Sequence, residues 1–514
     1  MRSTFDPLSI KQKISLLTGL KGEYLLAPAG TGYPDLRMSR GLAGLCLMEN
    51  GAQKASTGFP SFDCIAQSFD PELAHRMGEE LAAVFRDASV QLLLLPETLD
   101  EGAPEEAFLT DVMLDALLEG LSSGGVGAVA VMDGRPGERI RSDIPRMIRT
   151  NDPEKAVLAL SGGADLIGTD DPESVVEAVY RAVETRALSM EKIDTSAKRI
   201  LSLFERFADA GERDPDFFEG ASHHFSRRAV RASAVLLRNE GTLPLKSSAD
   251  TAFIGLYAME PPCLCPGDDR VEPLDLDGAL FSARSVASVG YAQGFREGGS
   301  DPALLEEAVE LARRSENAVL FLGMPEELPA AENARLPREQ LELLEAVCGV
   351  CGSVTVVLHA GAVPDISWMD RVNAVLYLPR AGEAAGGAAV DLLYGAVAPS
   401  GKLTRTLGAS LPFGSDCSAA DFRCSVPEIV EDEDALYAVL EVSNDGRAAG
   451  TAVVQAYRQD GGRRALCGFK KVTVRPGRPK TVRVRLSLDK NDPELAIYAG
   501  SSRNDARLGI RRKG

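Results

Sequence analysis

The stretch Gly124–Gly134, reading Gly-Gly-Val-Gly-Ala-Val-Ala-Val-Met-Asp-Gly, constrains the fold more than any other part of the chain. It is a continuous apolar run of strand length that ends in a carboxylate and a glycine, the pattern of a buried strand. The segment before it, Glu105–Leu121, spaces Phe108, Val112, Leu114, Leu117, Leu118 and Leu121 as one helical face, so a helix is expected to feed the strand. In α/β folds built from such units, ligands gather at the carboxyl ends of parallel strands. Asp133 stands at that end. Two readings are open there: a catalytic acid, or an Asp-Gly turn by which the chain leaves the strand.

The same alternation runs on either side. Ile10–Gly19 reads as a short amphipathic helix, Phe69-Asp-Pro-Glu-Leu73 opens a helix to about Asp87, and Val90–Pro96 reads as a buried strand. Farther on, strands expected at Asn317–Gly323, Val354–Gly361 and Ala374–Leu378 alternate with helices near Ala303–Ser315, Arg338–Val347 and Ala384–Tyr394, a second α/β layer. From about Pro412 the period changes to short alternating strands at Leu436–Val442, Thr451–Tyr457, Lys471–Val474, Thr481–Leu486 and Leu495–Tyr498. Asn444-Asp-Gly and Arg475-Pro-Gly supply turns between them, as in a β-sandwich.

Composition narrows the partners. With 75 acidic against 56 basic residues the net charge is -19, which repels nucleic acid and anionic membranes. A small neutral molecule or a cationic partner fits better. No apolar leader follows Met1 and no run approaches the ~20 residues needed to span a bilayer, so a cytoplasmic location is expected. Nine cysteines scattered from Cys46 to Cys467 read as reduced thiols rather than a disulfide framework. Cys263-x-Cys265 and Cys348-x2-Cys351 raise a metal or thiol chemistry, but the only histidines are His75, His223, His224 and His359, and Cys348 falls on the apolar face of a helix. No metal and no cofactor are expected on these grounds.

An ordered string of motifs carries a resemblance. It comprises Ser-Leu-Leu-Thr-Gly19; Phe-Pro-Ser61 before Asp-Pro-Glu-Leu73; Val-Met-Asp133; Gly-Gly-Ala-Asp165-Leu; Ile193-Asp-Thr-Ser-Ala-Lys-Arg-Ile-Leu201; Ala234-Val-Leu-Leu-Arg-Asn-Glu-Gly-Thr-Leu-Pro-Leu245; Pro399-Ser-Gly-Lys-Leu403; and Gly468-Phe-Lys-Lys-Val472. In this order the chain resembles glycoside hydrolase family 3 proteins of the β-glucosidase type, as a shortened and divergent member. The resemblance implies an α/β multidomain fold: a truncated (β/α) barrel-like domain at 1–212, a linker at 213–245, an α/β sandwich at 246–411 and a fibronectin type III-like β-sandwich at 412–514. It implies retaining hydrolysis of O-glycosyl bonds in small β-glycosides, which needs two carboxyl groups about 5–5.5 Å apart. By position Asp133 is the nucleophile. Glu332 is the nearest candidate for the acid/base, on a shortened loop that also holds Glu326 and Glu327.

Departures from the pattern bear on substrate. Gly134 stands where the family has a tryptophan, and the family's Asp-Gly-Pro-x-Gly-x-Arg loop reads Arg40-Gly-Leu-Ala-Gly-Leu-Cys46. Arg40 therefore replaces a sugar-binding acid, and it suits an anionic sugar such as a uronate. The family's Lys-His-Phe segment is missing, with only 27 residues between Pro96 and Gly124. A complete barrel usually takes about 250 residues, so this one is either incomplete or closed in another way. A second deletion falls between Leu403 and Pro412. The alternative to an active glycosidase is a catalytically impaired sugar-binding or scaffold protein, as a homo-oligomer or paired with an active relative. A thiol- or metal-dependent enzyme is the remote third class.

Overall fold

The computed structural model describes residues 8–29, 31–96, 105–132, 143–208, 217, 219–262, 270–325, 335–361, 364–408, 410–417, 421–432, 435–488 and 496–511. Four of its helices start at the same dipeptide. Asp70, Asp152, Asp171 and Asp301 each precede a proline, and each carboxylate accepts from a backbone N–H of the first turn. The acid satisfies an orphan donor, and proline fits the first helical position, whose N–H is unpaired anyway. Asp-Pro thus punctuates the α/β alternation along the chain.

The first sheet contains β1 (Leu20–Lys21), β2 (Tyr24–Leu25), β3 (Leu36–Ser39), β4 (Leu92–Pro96), β5 (Gly127–Val131), β6 (Arg146–Arg149) and β7 (Leu166–Gly168), side by side in that order. From β3 to β7 all pairs are parallel, whereas β1, β2 and β3 are joined antiparallel. The barrel-like sheet is nearly closed. At its seam the Ile167 N–H donates to the Leu17 carbonyl at 2.7 Å, just ahead of β1. The closure question raised by the short sequence is therefore answered by a hairpin standing where further βα units would otherwise be.

Two helices cover the shortened side of the barrel, α1 (Pro71–Asp87) and α2 (Ala107–Ser123). They touch backbone to backbone: a Cβ on Gly78 would collide with the Leu117 carbonyl, and one on Gly120 with the His75 carbonyl. Only glycine permits that approach. Leu81, Phe85, Met113 and Leu117 are buried beside it in one cluster.

The second sheet is doubly wound. Its strands β8 (Val235–Asn239), β9 (Thr251–Ile254), β10 (Val289–Ala292), β11 (Asn317–Gly323), β12 (Val354–His359) and β13 (Ala374–Tyr377) lie in the order β8-β13-β12-β11-β9-β10. All pairs are parallel except β8 with β13. Residues 234–245, read as linker from the sequence, thus give this sheet its antiparallel edge. Every residue of β12 and β13 is buried, as expected of strands covered on both faces.

The last 94 residues, 421–514, contain the strands of a two-sheet sandwich, one sheet centred on Ala435–Asn444 and the other on Gly450–Asp460. Residues inside the sandwich, among them Leu440, Val454 and Val484, form one buried cluster. Glu106 ties it to the barrel: the Glu106 carboxylate accepts from the Leu466 N–H at 3.2 Å and from Arg463 at 2.7 Å, and it pairs with Arg503.

Candidate active site

The carboxyl ends of β3, β5 and β6 converge on one cavity of about 640 Å³, lined among others by Arg40, Val131, Met132, Ile148, Arg149 and Lys155. The ladder fixes the end of β5 firmly. The Met132 N–H donates to the Met147 carbonyl at 2.7 Å, and the Ala130 N–H to the Pro145 carbonyl at 2.9 Å. Met132 is buried and Asp133 is the next residue in the chain. Asp133 itself lies outside the described residues, as do Gly134, Glu326, Glu327 and Glu332. A smaller cavity of about 370 Å³ opens at the opposite end of β5, beside Gly127 and Arg206, the end that in barrels serves stability rather than chemistry.

Arg40 begins a tight loop whose backbone keeps its glycines. Arg40 and Cys46 face each other as an antiparallel bridge, with the Cys46 N–H donating to the Arg40 carbonyl at 3.1 Å. Between them Gly41 has φ +109 and Gly44 φ +143, and a Cβ on Gly41 would strike the Gly44 carbonyl. The Cys46 thiol donates to the Arg270 carbonyl at 3.1 Å, across to the second sheet's half of the molecule.

Asp165 proves to be a strut. Its fully buried carboxylate accepts from Ser196 Oγ at 2.6 Å, Lys192 Nζ at 3.1 Å and Arg199 at 3.2 Å, all on the helix Met190–Phe207, and from the Arg146 N–H at 3.2 Å. It locks that helix to β6. A buried carboxylate with this many donors is held by its partners, and removing either side would leave charge unpaired.

Three further buried or half-buried groups carry no motif: Glu383 and Asp63 bond between the barrel and the second sheet's half of the molecule, and His359 ends β12. Glu383, 1 % exposed, accepts from the Gly58 N–H at 3.0 Å, the Leu274 N–H at 3.2 Å and pairs with His223 Nδ1 at 2.8 Å. That hydrogen bond raises the His223 pKa, against the opposing effect of burial. Asp63 accepts from Thr404 Oγ1 at 3.1 Å. Burial pushes its carboxyl up to about 6, with Arg405, the Thr404 bond and Arg380 pulling the other way. His359 ends β12 at 1 % exposure, with neither ring nitrogen hydrogen-bonded among the described residues. Burial drives its pKa down to about 4.

The described Cys348-x2-Cys351 pair bonds to backbone carbonyls. Cys348 and Cys351 give their thiols to the carbonyls of Arg371 and Ser353 at 3.5 and 3.4 Å, while Cys263 and Cys265 lie outside the described residues. Among the described residues no cluster of three or more His, Cys, Asp or Glu is suited to a metal ion, and no helix is long and apolar enough to cross a membrane.

Residues 234–439 match the glycosyl hydrolase family 3 C-terminal domain. The thermostable beta-glucosidase B of Acetivibrio thermocellus is 26% identical, over 95% of this chain and 83% of its own length. An exo-alpha-(1->6)-L-arabinopyranosidase of Bifidobacterium longum is 23% identical over 78% of this chain and 66% of its own. Among solved structures, the GH3 beta-glucosidase of Bifidobacterium adolescentis superposes with a TM-score of 0.84 at 21% identity, covering 98% of this chain and 94% of that one. DesR, a beta-glucosidase from Streptomyces venezuelae solved with D-glucose, gives 0.83 at 20% identity over 98% of both chains. The multidomain α/β fold with its barrel-like first sheet is thus shared nearly end to end.

Proposed function

Because this chain belongs to glycoside hydrolase family 3, among proteins of the β-glucosidase type, we propose that it hydrolyses small β-glycosides with retention, using Asp133 as nucleophile. The observation that carries the reading is the cavity at the carboxyl ends of β3, β5 and β6, reached by β5 at Met132, one residue before Asp133. Asp133 attacks the anomeric carbon as Glu332 gives its proton to the departing glycosidic oxygen, forming a glycosyl ester. Glu332, now a base, takes a proton from water, whose oxygen attacks the same carbon and frees Asp133. Two inversions leave the configuration unchanged.

Incubation with aryl β-glycosides tests this. Turnover by the wild-type chain and its loss in Asp133→Ala are expected; equal background rates in both would remove the proposal. The division into parts at 1–212, 213–245, 246–411 and 412–514, the last resembling a fibronectin type III domain, belongs to the same reading. So does a cytoplasmic location, supported by Cys64, Cys348, Cys351, Cys417, Cys424 and Cys467, which form no disulfide among the described residues, as suits a reducing compartment.

A further inference from the structure

We infer that the sugar taken at the barrel mouth is anionic: a terminal glycosyl unit bearing a carboxylate or phosphate, held by Arg40, Arg149 and Lys155. This deepens the glycosidase reading and rests on it for where the reacting carbon sits. The charge of the wall is the first support. Those three cations are the only charged residues among the described residues lining the 640 Å³ cavity, in a chain where acids outnumber bases by 75 to 56. Among the described residues, the lining of this cavity inverts the balance of the whole chain.

Their origins are the second support. Arg40 comes from the loop after β3, Arg149 from the last position of β6, and Lys155 from the first turn of the helix Pro153–Ser161. Three separate pieces of chain deliver the same sign of charge to one place. Lys155 stands 3.9 Å from Asp152, a loose pair on an exposed helix end, which leaves its ammonium able to serve a ligand. Beside the cations the wall is apolar, with Val131, Ile148 and Leu158. Leu158 is 70 % exposed, an apolar face of the sort that ligand cavities offer alongside a few polar anchors.

Donor chemistry makes the choice between neutral and charged sugars. A hydroxyl that must give its proton needs an acceptor, and neither a guanidinium nor an ammonium has one. A carboxylate or phosphate needs donors alone, and arginine supplies them in pairs with charge assistance. An anionic sugar would also be repelled by a carboxylate nucleophile close by. Cations along the same wall offset that repulsion.

Calorimetric titration of the full chain with glucuronate, glucose 6-phosphate and glucose separates the possibilities, since the first two arms distinguish carboxylate from phosphate. One anionic sugar is expected to bind roughly 10- to 100-fold more tightly than glucose, the range for hydrogen bonds to charged groups. Raising salt from about 20 to about 300 mM should shrink that preference. So should Arg149→Gln with Lys155→Gln, two exposed positions where the fold is not at stake, and Arg40→Gln beside them. Glucose binding as well as either anion, binding by none of the three, or a preference untouched by all these variants would overturn the inference. Turnover of aryl β-glucosides and β-glucuronides on the same samples keeps the two proposals apart. Hydrolysis without charge preference removes this one and leaves the glycosidase; charge-selective binding without turnover does the reverse.

Discussion

Replacing His359 by glutamine deletes a titration that folding works against. The imidazole is 1 % exposed at the end of β12, and burial lowers its pKa to about 4, against about 6.5 for an unfolded chain. As pH falls through that window the unfolded state takes the proton first, so stability is full above 6.5 and drains away toward 4. The whole interval of about 2.5 pH units corresponds to about 3.4 kcal/mol, and about 2.5 kcal/mol of it is lost by pH 4.5. Asp63 works in the opposite sense. Its folded pKa is raised from 3.8 to about 6, so the folded state binds the proton first and gains stability as pH falls between those values. Asp63→Asn should therefore show a pH dependence of the other sign, of up to about 2 kcal/mol between pH 7.5 and 4.5, reduced because its side chain is only partly buried. The two slopes oppose each other between about pH 4 and 6 in the wild-type chain.

The assay is urea unfolding followed by the fluorescence of Trp368, the single tryptophan, which is 5 % exposed in the same buried cluster as Leu358 and Ala360. Differences between variant and wild type cancel the other titrations. His359→Gln should gain about 2.5 kcal/mol relative to wild type on going from pH 7.5 to 4.5. A difference constant to within about 0.5 kcal/mol across that range would refute the reasoning.

Three smaller expectations follow from single contacts. Asp165→Asn strips the charge that Lys192 and Arg199 share, and should cost about 3–5 kcal/mol, read as a fall in melting temperature; a change of under about 1 kcal/mol would contradict the strut. Gly41→Ala places a Cβ on a residue at φ +109 against the Gly44 carbonyl. It should cost at least about 1–3 kcal/mol and weaken sugar binding together with stability, whereas an unchanged melting temperature would show that the loop is slack. His223 carries a raised pKa because it bonds Glu383, so that pair contributes fully below about pH 6.5 and is lost as pH rises through the folded value. His223→Gln should consequently cost more stability at pH 5.5 than at pH 8.5, and equal cost at both would remove the pair's charge from the account.

How much of this was legible in the sequence depended on how local each cause was. Asn317–Gly323 has the same limits in sequence and structure because its burial is written in consecutive residues. The strand at Glu428–Asp432 escaped notice because Glu428, Glu431 and Asp432 break its apolar alternation, while its pairing comes from Ala435–Asn444. The hairpin β1–β2 has two residues a side, too few for any period to show. Arg40 was readable because its loop's glycines frame it, and the structure brings it to the cavity with Met132. Arg149 and Lys155 carry no motif, and only the fold gathers them there. Glu383 was invisible for a related reason, since its partner Gly58 lies 325 residues away in sequence. A carboxylate whose role is set by such distant groups has no local signature.

Retaining hydrolysis by Asp133 requires a covalent bond to the sugar at the end of β5. Activated 2-deoxy-2-fluoro β-glycosides, neutral and uronic, form glycosyl esters with a carboxylate nucleophile that hydrolyse slowly enough to be weighed. Intact mass followed by peptide mapping should find one glycosyl unit added, on the peptide holding Asp133, and none on Asp133→Ala. An adduct mapped to a different carboxylate, or no adduct from either reagent, would contradict the assignment of this strand end as the seat of the chemistry.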